Sequence, residues 1–344
     1  MNKLTKIGAS ALCGSLAAIS AVNAGEMSVS GGANMSYTKL GYGNNGNPLG
    51  MATAMTFTGS GELDNGSTVT MNIAHNDKNV YSSSDISIAT PAMGTFTYDE
   101  GGGTGMDRYD DMMPTAWEET NGTGVSAGFT TVAGVGGGTD IEWTVPTDML
   151  PGGMAAYVSV SPKADGSKSS DKSVTGTASD VDGLGWDVAA SHTGLADGLT
   201  VFGAYSIIPK YKTDTAGVGV TGDRVAKVLG ATYAVGGVTV GYQYSIDDLN
   251  SSVTTTGTSN YTNNAYGVSF SVNDDLSISY GYHASERNLN GADTIEVEAQ
   301  SVQAAYSMGG ATLKIAETEV DNAAYVTGVA GDNEGTTIML SLAF

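Results

Sequence analysis

Cysteine is almost missing from this sequence: Cys13 stands alone, inside the apolar stretch that opens the chain. Downstream of it the protein can be neither stapled by disulfides nor built around thiolate metal sites. Positive charge is scarce as well. Lysine and arginine together number 14 against 36 aspartates and glutamates, a formal net charge of -22, and such a surface repels nucleic acid and anionic lipid heads. After Ala24 no apolar run of about eighteen residues occurs, so no transmembrane helix is expected there. Helical periodicity is nearly absent too. The three histidines, His75, His192 and His283, fall on separate expected strands and read as interface or rim residues. No nucleophile and base cluster with them, so no enzyme is expected. Repeats of fixed period are also lacking, which speaks against a secreted structural or adhesive solenoid.

What is present begins with "MNKLTKIGASALCGSLAAISAVNA". Lys3 and Lys6, an apolar stretch from Ile7 and small residues before the boundary at Ala24 make residues 1–24 a secretory signal peptide in expectation, leaving 25–344 as one mature domain. A lipidated Cys13 is disfavoured because the bulky Leu12 precedes it. Hydrophobic content of 40% with 17 tyrosines and 49 glycines excludes a disordered acidic chain.

Alternation runs through the mature chain. In "VGGVTVGYQYSID" Val238, Val240, Tyr242, Tyr244 and Ile246 share one face, and in "NDDLSISYGYH" Leu276, Ile278, Tyr280 and Tyr282 do the same. Short turn signals at Asp64, Pro91, Asp148, Leu195, Gly236, Asn273 and Met308 read as tight hairpins. Between them lie longer polar links at 41–50, 77–83, 100–138, 162–183, 209–223, 247–262, 286–295 and 320–333. About sixteen strands of roughly seven to twelve residues, joined by alternating short and long links, have the grammar of a transmembrane antiparallel β-barrel. Tyr205, Tyr233, Tyr266, Phe270 and Tyr306 fall on apolar faces near strand ends, as girdle aromatics would.

The leader, the alternating links, the long third loop and the closing "EGTTIMLSLAF" together resemble the Gram-negative general porins. The resemblance implies an outer-membrane channel for small hydrophilic solutes and ions, a homotrimer in lipid, a terminal Phe344 read by the barrel-assembly machinery, and a third loop folded into the lumen. That loop carries Asp99, Glu100, Asp107, Asp110, Asp111, Glu118 and Glu119 against the single Arg108, and rings of carboxylates favour cations. Inward parity adds Asp140 and Glu142 on the sixth expected strand and Lys314 on the fifteenth as pore-wall residues. The first four strands offer only Lys39 and Lys78, which argues against the transverse field that family members set between arginines and loop carboxylates. The nearest alternative is a substrate-specific channel, which would line its lumen with aromatic or basic tracks.

No cofactor is expected beyond calcium loosely held by the external loops, which the carboxylate density near Asp180 and Gly136 allows. The trimer contact is expected on the first five strands. Met27, Met35, Met51, Met55, Met71 and Met93 concentrate there, and adaptable thioethers suit protein contacts.

Overall fold

A side-chain period of two sorts each strand into two faces, and sixteen such strands close into one sheet. The computed structural model describes residues 25–41, 46–77, 79–120, 122–164, 183–209, 222–250 and 257–343. The expected signal peptide, Lys78, Asp180 and Phe344 lie outside them. The strands are β1 (Met27–Leu40), β2 (Leu49–Glu62), β3 (Thr68–Asn76), β4 (Asn79–Thr90), β5 (Gly94–Asp99), β6 (Asp140–Thr144), β7 (Met154–Ser161) and β8 (Gly185–His192). They continue as β9 (Leu199–Ile208), β10 (Arg224–Val235), β11 (Val238–Asp248), β12 (Thr258–Ser271), β13 (Leu276–Leu289), β14 (Ile295–Met308), β15 (Ala311–Asp321) and β16 (Asn333–Ala343). Each pairs antiparallel with its sequence neighbours, and β1 pairs with β16 from Gly32↔Ala343 to Leu40↔Gly335. Closure removes both sheet edges, so the backbone groups of every strand find partners within the sheet.

The apolar face points outward. Val29, Tyr37, Phe57, Ile88, Leu229, Val240, Val302, Ile315 and Ile338 are all exposed, a continuous belt that in water would be an aggregation surface. The outward aromatics follow the expected parity: Tyr205, Tyr233, Tyr242, Tyr244, Tyr266, Phe270 and Tyr306 are exposed, and the Tyr266 and Tyr282 rings stack across β12 and β13 at 4.8 Å. The buried apolar residues sit on the inside. Met106, Tyr109, Met113 and Val132 pack with Ala189, Phe202, Ala226, Val228 and Ala265, while Val125 and Ala127 pack with Val297, Ala299, Val320 and Tyr325.

The links depart from the expected alternation. β4 begins at Asn79, three residues after β3 ends, so strand occupies most of the long polar link expected at 77–83. Strand likewise occupies part of two other expected links: β11 runs to Asp248 and β12 begins at Thr258 within 247–262, and β13 runs to Leu289 within 286–295. The reason is physical: inward and outward faces are both polar there, so periodicity vanishes while backbone pairing continues. Conversely, the connection from Val145 to Gly153, expected to be short, holds a 3-10 turn at Thr147–Met149. Strand lengths run from five to fourteen residues, a wider range than expected.

Candidate functional site

The 100–139 segment joins β5 to β6 and is tied to inward-facing side chains around most of the barrel. Asp187 on β8 is its main anchor. Fully buried, this carboxylate accepts from the Met106 N–H (3.0 Å), from the Val135 N–H (3.1 Å) and from the Gly136 N–H (3.2 Å), so one side chain clasps the beginning and the end of the segment. Gly105 sits between them at φ +48°, and a Cβ there would strike the Asp187 carboxylate and approach Ser159 Oγ to 3.0 Å. Glu142 accepts from the Gly105 N–H at 2.7 Å and pairs with Arg108.

Further along, wall amides match the segment's backbone. Gln243 on β11 accepts from Met112 N–H (3.2 Å) and donates to Tyr109 O (3.0 Å) and Asp110 O (2.8 Å). Ser279 on β13 accepts from Ala116 N–H at 2.8 Å. Gln303 on β14 accepts from the N–H groups of Trp117 and Glu118, both at 3.1 Å, and donates to Glu118 O at 2.8 Å. Thr123 then bonds Ser301 and Thr318. The segment returns past Phe129, whose ring lies 4.2 Å from that of His283, and Thr130, whose carbonyl accepts from Asn263 at 3.1 Å.

The expected site residues fall into two groups and one outlier. Asp99, Asp107, Arg108, Asp140 and Glu142 gather at the β5–β8 side. There Asp85 faces Asp99 and Asp99 faces Asp140 in strand register. Arg108 is spent on Glu142 and on the Tyr157 ring, 3.5 Å below its guanidinium. Asp110, Asp111, Glu118 and Glu119 form the second group, with Lys314 over the Trp117 ring at 5.9 Å. Glu100 stands apart, accepting at 3.0 Å from the hydroxyl of the outward Tyr98. Asp99 is the last residue of β5 rather than part of the loop, and its carboxylate accepts from Gly101 and Gly102 N–H.

Partial removal from water raises the loop carboxyls. Asp111 is pushed up to about 6 by burial, with Asp110 adding to it, and Asp107 reaches about 6 by burial and then by Asp110, Asp187 and Asp99. Glu119 remains open to solvent on one side but is crowded by the barrel, and loss of hydration with Asp111, Asp110 and Glu118 pushes it up to about 7. Burial also raises Asp110 and Glu118, the latter opposed by Lys314.

Burial of inward residues is uneven. Under the segment, Asp187, Gln243, Asn263, His283, Ser285, Ser301, Gln303 and Thr318 are buried. Across the barrel, Thr56, Thr58, Thr70, Asn72, Asp85, Ser87 and Thr97 on β2–β5 are only half-buried. They form a hydroxyl and amide ladder in which Thr58 donates to Asn72 (2.8 Å) and Asn72 to Asp85 (3.0 Å). His283 corrects a sequence expectation: it is no rim residue but 2% exposed beneath Phe129, because its parity is that of Ser279 and Ser285. Sequence reasoning also passed over Asp187, Gln243 and Gln303. Their inward parity was legible, Asp187 lying between the outward Trp186 and Val188.

No protein-family model matches this chain, and no curated protein sequence matches it. Solved structures do. OmpF of Salmonella typhi, in complex with daunomycin, superposes with a TM-score of 0.68 at 14% identity, over 93% of this chain and 98% of that one. A loop-deletion variant of OmpT, an outer membrane protein of Vibrio cholerae, gives 0.64 at 11% identity over 93% and 99%. A variant of Rh. blastica porin gives 0.57 at 15% identity over 93% and 100%. At these identities the likeness is one of fold, and that fold is the closed sixteen-stranded antiparallel barrel of the porins.

Proposed function

We propose that this protein is an outer-membrane porin, a water-filled channel through which small hydrophilic solutes and ions diffuse passively with a preference for cations. The carrying observation is the pairing of a continuous exposed apolar belt outside with a polar wall inside that stays half-open along β2–β5. In this reading the 100–139 segment narrows the lumen from the β6–β16 side and solutes pass along the ladder of Thr58, Asn72, Asp85, Ser87 and Thr97. That lane carries the Asp85 carboxylate, and Arg108 is neutralised by Glu142, so little opposes a cation there. Cleavage after Ala24 delivers the chain, Phe344 addresses it to the assembly machinery, and calcium at the external loops is a loose addition.

The test is reconstitution in planar bilayers. Discrete conductance steps and a reversal potential of cation sign in a salt gradient are expected from protein recovered with the outer membrane. Recovery in the soluble periplasm, or absence of steps, would remove the channel reading.

Trimer formation belongs to the same proposal. Met27, Met35, Met51, Met55 and Met71 all lie exposed on the outer face of β1–β3, where thioethers can adapt to a neighbouring copy. Introducing Met55→Asp with Met71→Asp should split the assembly into folded monomers on native mass measurement in mild detergent. A monomer in the unmodified protein would defeat this claim and leave the barrel untouched.

A further inference from the structure

We infer that Tyr325, on the link between β15 and β16, is a positioning residue for the channel: it straps the returning limb of the 100–139 segment to the wall and so sets the aperture. The inference rests on the channel reading above. Tyr325 is 6% exposed. Its hydroxyl bonds Ser285 Oγ on β13 at 2.7 Å and accepts from the Thr130 N–H at 3.0 Å. One oxygen therefore joins the wall to the limb. Its ring lies 5.4 Å from that of Tyr261 and 5.1 Å beneath the Arg287 guanidinium. One residue earlier, the Ala324 N–H donates to Ala127 O at 2.8 Å.

The backbone that delivers this side chain is under strain. Asn322, Ala324 and Tyr325 have φ values of +57°, +54° and +60°, a region that side chains bearing a Cβ avoid. Asparagine tolerates it; alanine and tyrosine gain nothing locally in return. Such conformations persist where surrounding contacts over-determine them. Here the contacts are the limb itself and the turn's base, where Asn322 donates its amide to Glu296 O at 3.0 Å and its N–H to Asp332 at 3.2 Å. The limb is shaped to receive the turn. Gly128 adopts φ +64°, and a Cβ on it would lie 3.1 Å from Ala324.

The two ends of the segment are held by Asp187 and its outgoing limb by Gln243 and Gln303, whereas Tyr325 acts on the return limb at Thr130. Removing its hydroxyl therefore loosens that limb without dissolving the anchor or any strand ladder.

Tyr325→Phe keeps the ring and deletes both bonds. Losing their net stabilisation should raise the population of the released limb by about tenfold. The expected readout is excess open-channel noise and altered single-channel conductance, with heat stability of the barrel and its oligomeric state unchanged. Ala324→Gly relieves the strain with the strap intact and should quiet the channel, the opposite sign; Gly128→Ala should reproduce the noise of Tyr325→Phe. Amide exchange at residues 125–132 reads the strap without requiring conduction. Faster exchange there in Tyr325→Phe supports it, and unchanged exchange overturns it whatever the currents show. If exchange quickens while the unmodified protein conducts nothing, the strap holds the segment but has no channel to regulate, and it is the channel reading that fails.

Discussion

Replacing Asp187 by alanine should leave a folded barrel whose channel is several-fold more conductive and much less selective. The buried carboxylate is the shared acceptor for Met106, Val135 and Gly136 N–H. Hydrogen bonds to a charged group are each worth about 1.5 to 3 kcal/mol, and a buried donor left unpaired costs about 1 to 3 kcal/mol. Three orphaned donors at one point outweigh what a connecting segment can absorb, so its cheapest response is to leave the wall and hydrate. The strands do not share that cost, since their ladders close around the barrel independently. Asp187→Asn should fall between, because an amide oxygen still accepts but the NH2 group meets donors rather than acceptors. Single-channel conductance, with entry of larger sugars in liposome swelling, measures the effect. Parent-like values in the alanine variant would show that the segment is held without its clasp.

Cation preference should decline as pH falls through about 7 to 5, well above the range near 4 where ordinary carboxylates titrate. Asp107 and Asp111 at about 6 and Glu119 at about 7 set that window. The sign follows from the direction of the shifts. Carboxyls raised in the folded state are already neutral at a pH where exposed ones are charged, so mild acid discharges the segment first. The same linkage acts on stability: the folded form binds these protons more tightly, so their contribution is full below the unfolded value near 4 and is lost as pH rises through about 6 to 7. The segment is thus less firmly held at pH 8 than at pH 5. Replacing Asp107, Asp110 and Asp111 together by asparagine should lower cation preference at pH 8 and flatten most of its pH dependence. Reversal potentials measured across this range decide it; a preference constant down to pH 5 would mean that these groups do not face the permeation path.

Strand number and facing were legible because the two-residue period involves only neighbours along the chain. Tyr242 and Tyr244 read as outward, and they are exposed; Asp140 and Glu142 read as inward, and both are buried on that face. Link lengths were less legible. Where β12 continues through Tyr261, Thr262 and Asn263, polar residues occupy both faces and no hydropathy contrast reports the pairing. Among the candidate site residues, the acidic character of the long segment was plain, but the outward turn of Glu100 toward Tyr98 was not, since a carboxylate at a strand end can reach either face.

The sequence by itself determined a barrel with an outward-facing apolar belt, a polar interior and an acidic segment too long to be a hairpin, because each of these is a property of composition and local period. Only the tertiary structure decided which wall groups the segment meets and what fastens it. Asp187 meets Met106 across 81 residues of chain and Tyr325 meets Thr130 across 195. Contacts at such separations depend on how the whole sheet closes, and on which wall groups then lie within hydrogen-bond reach of a backbone that has no ladder of its own.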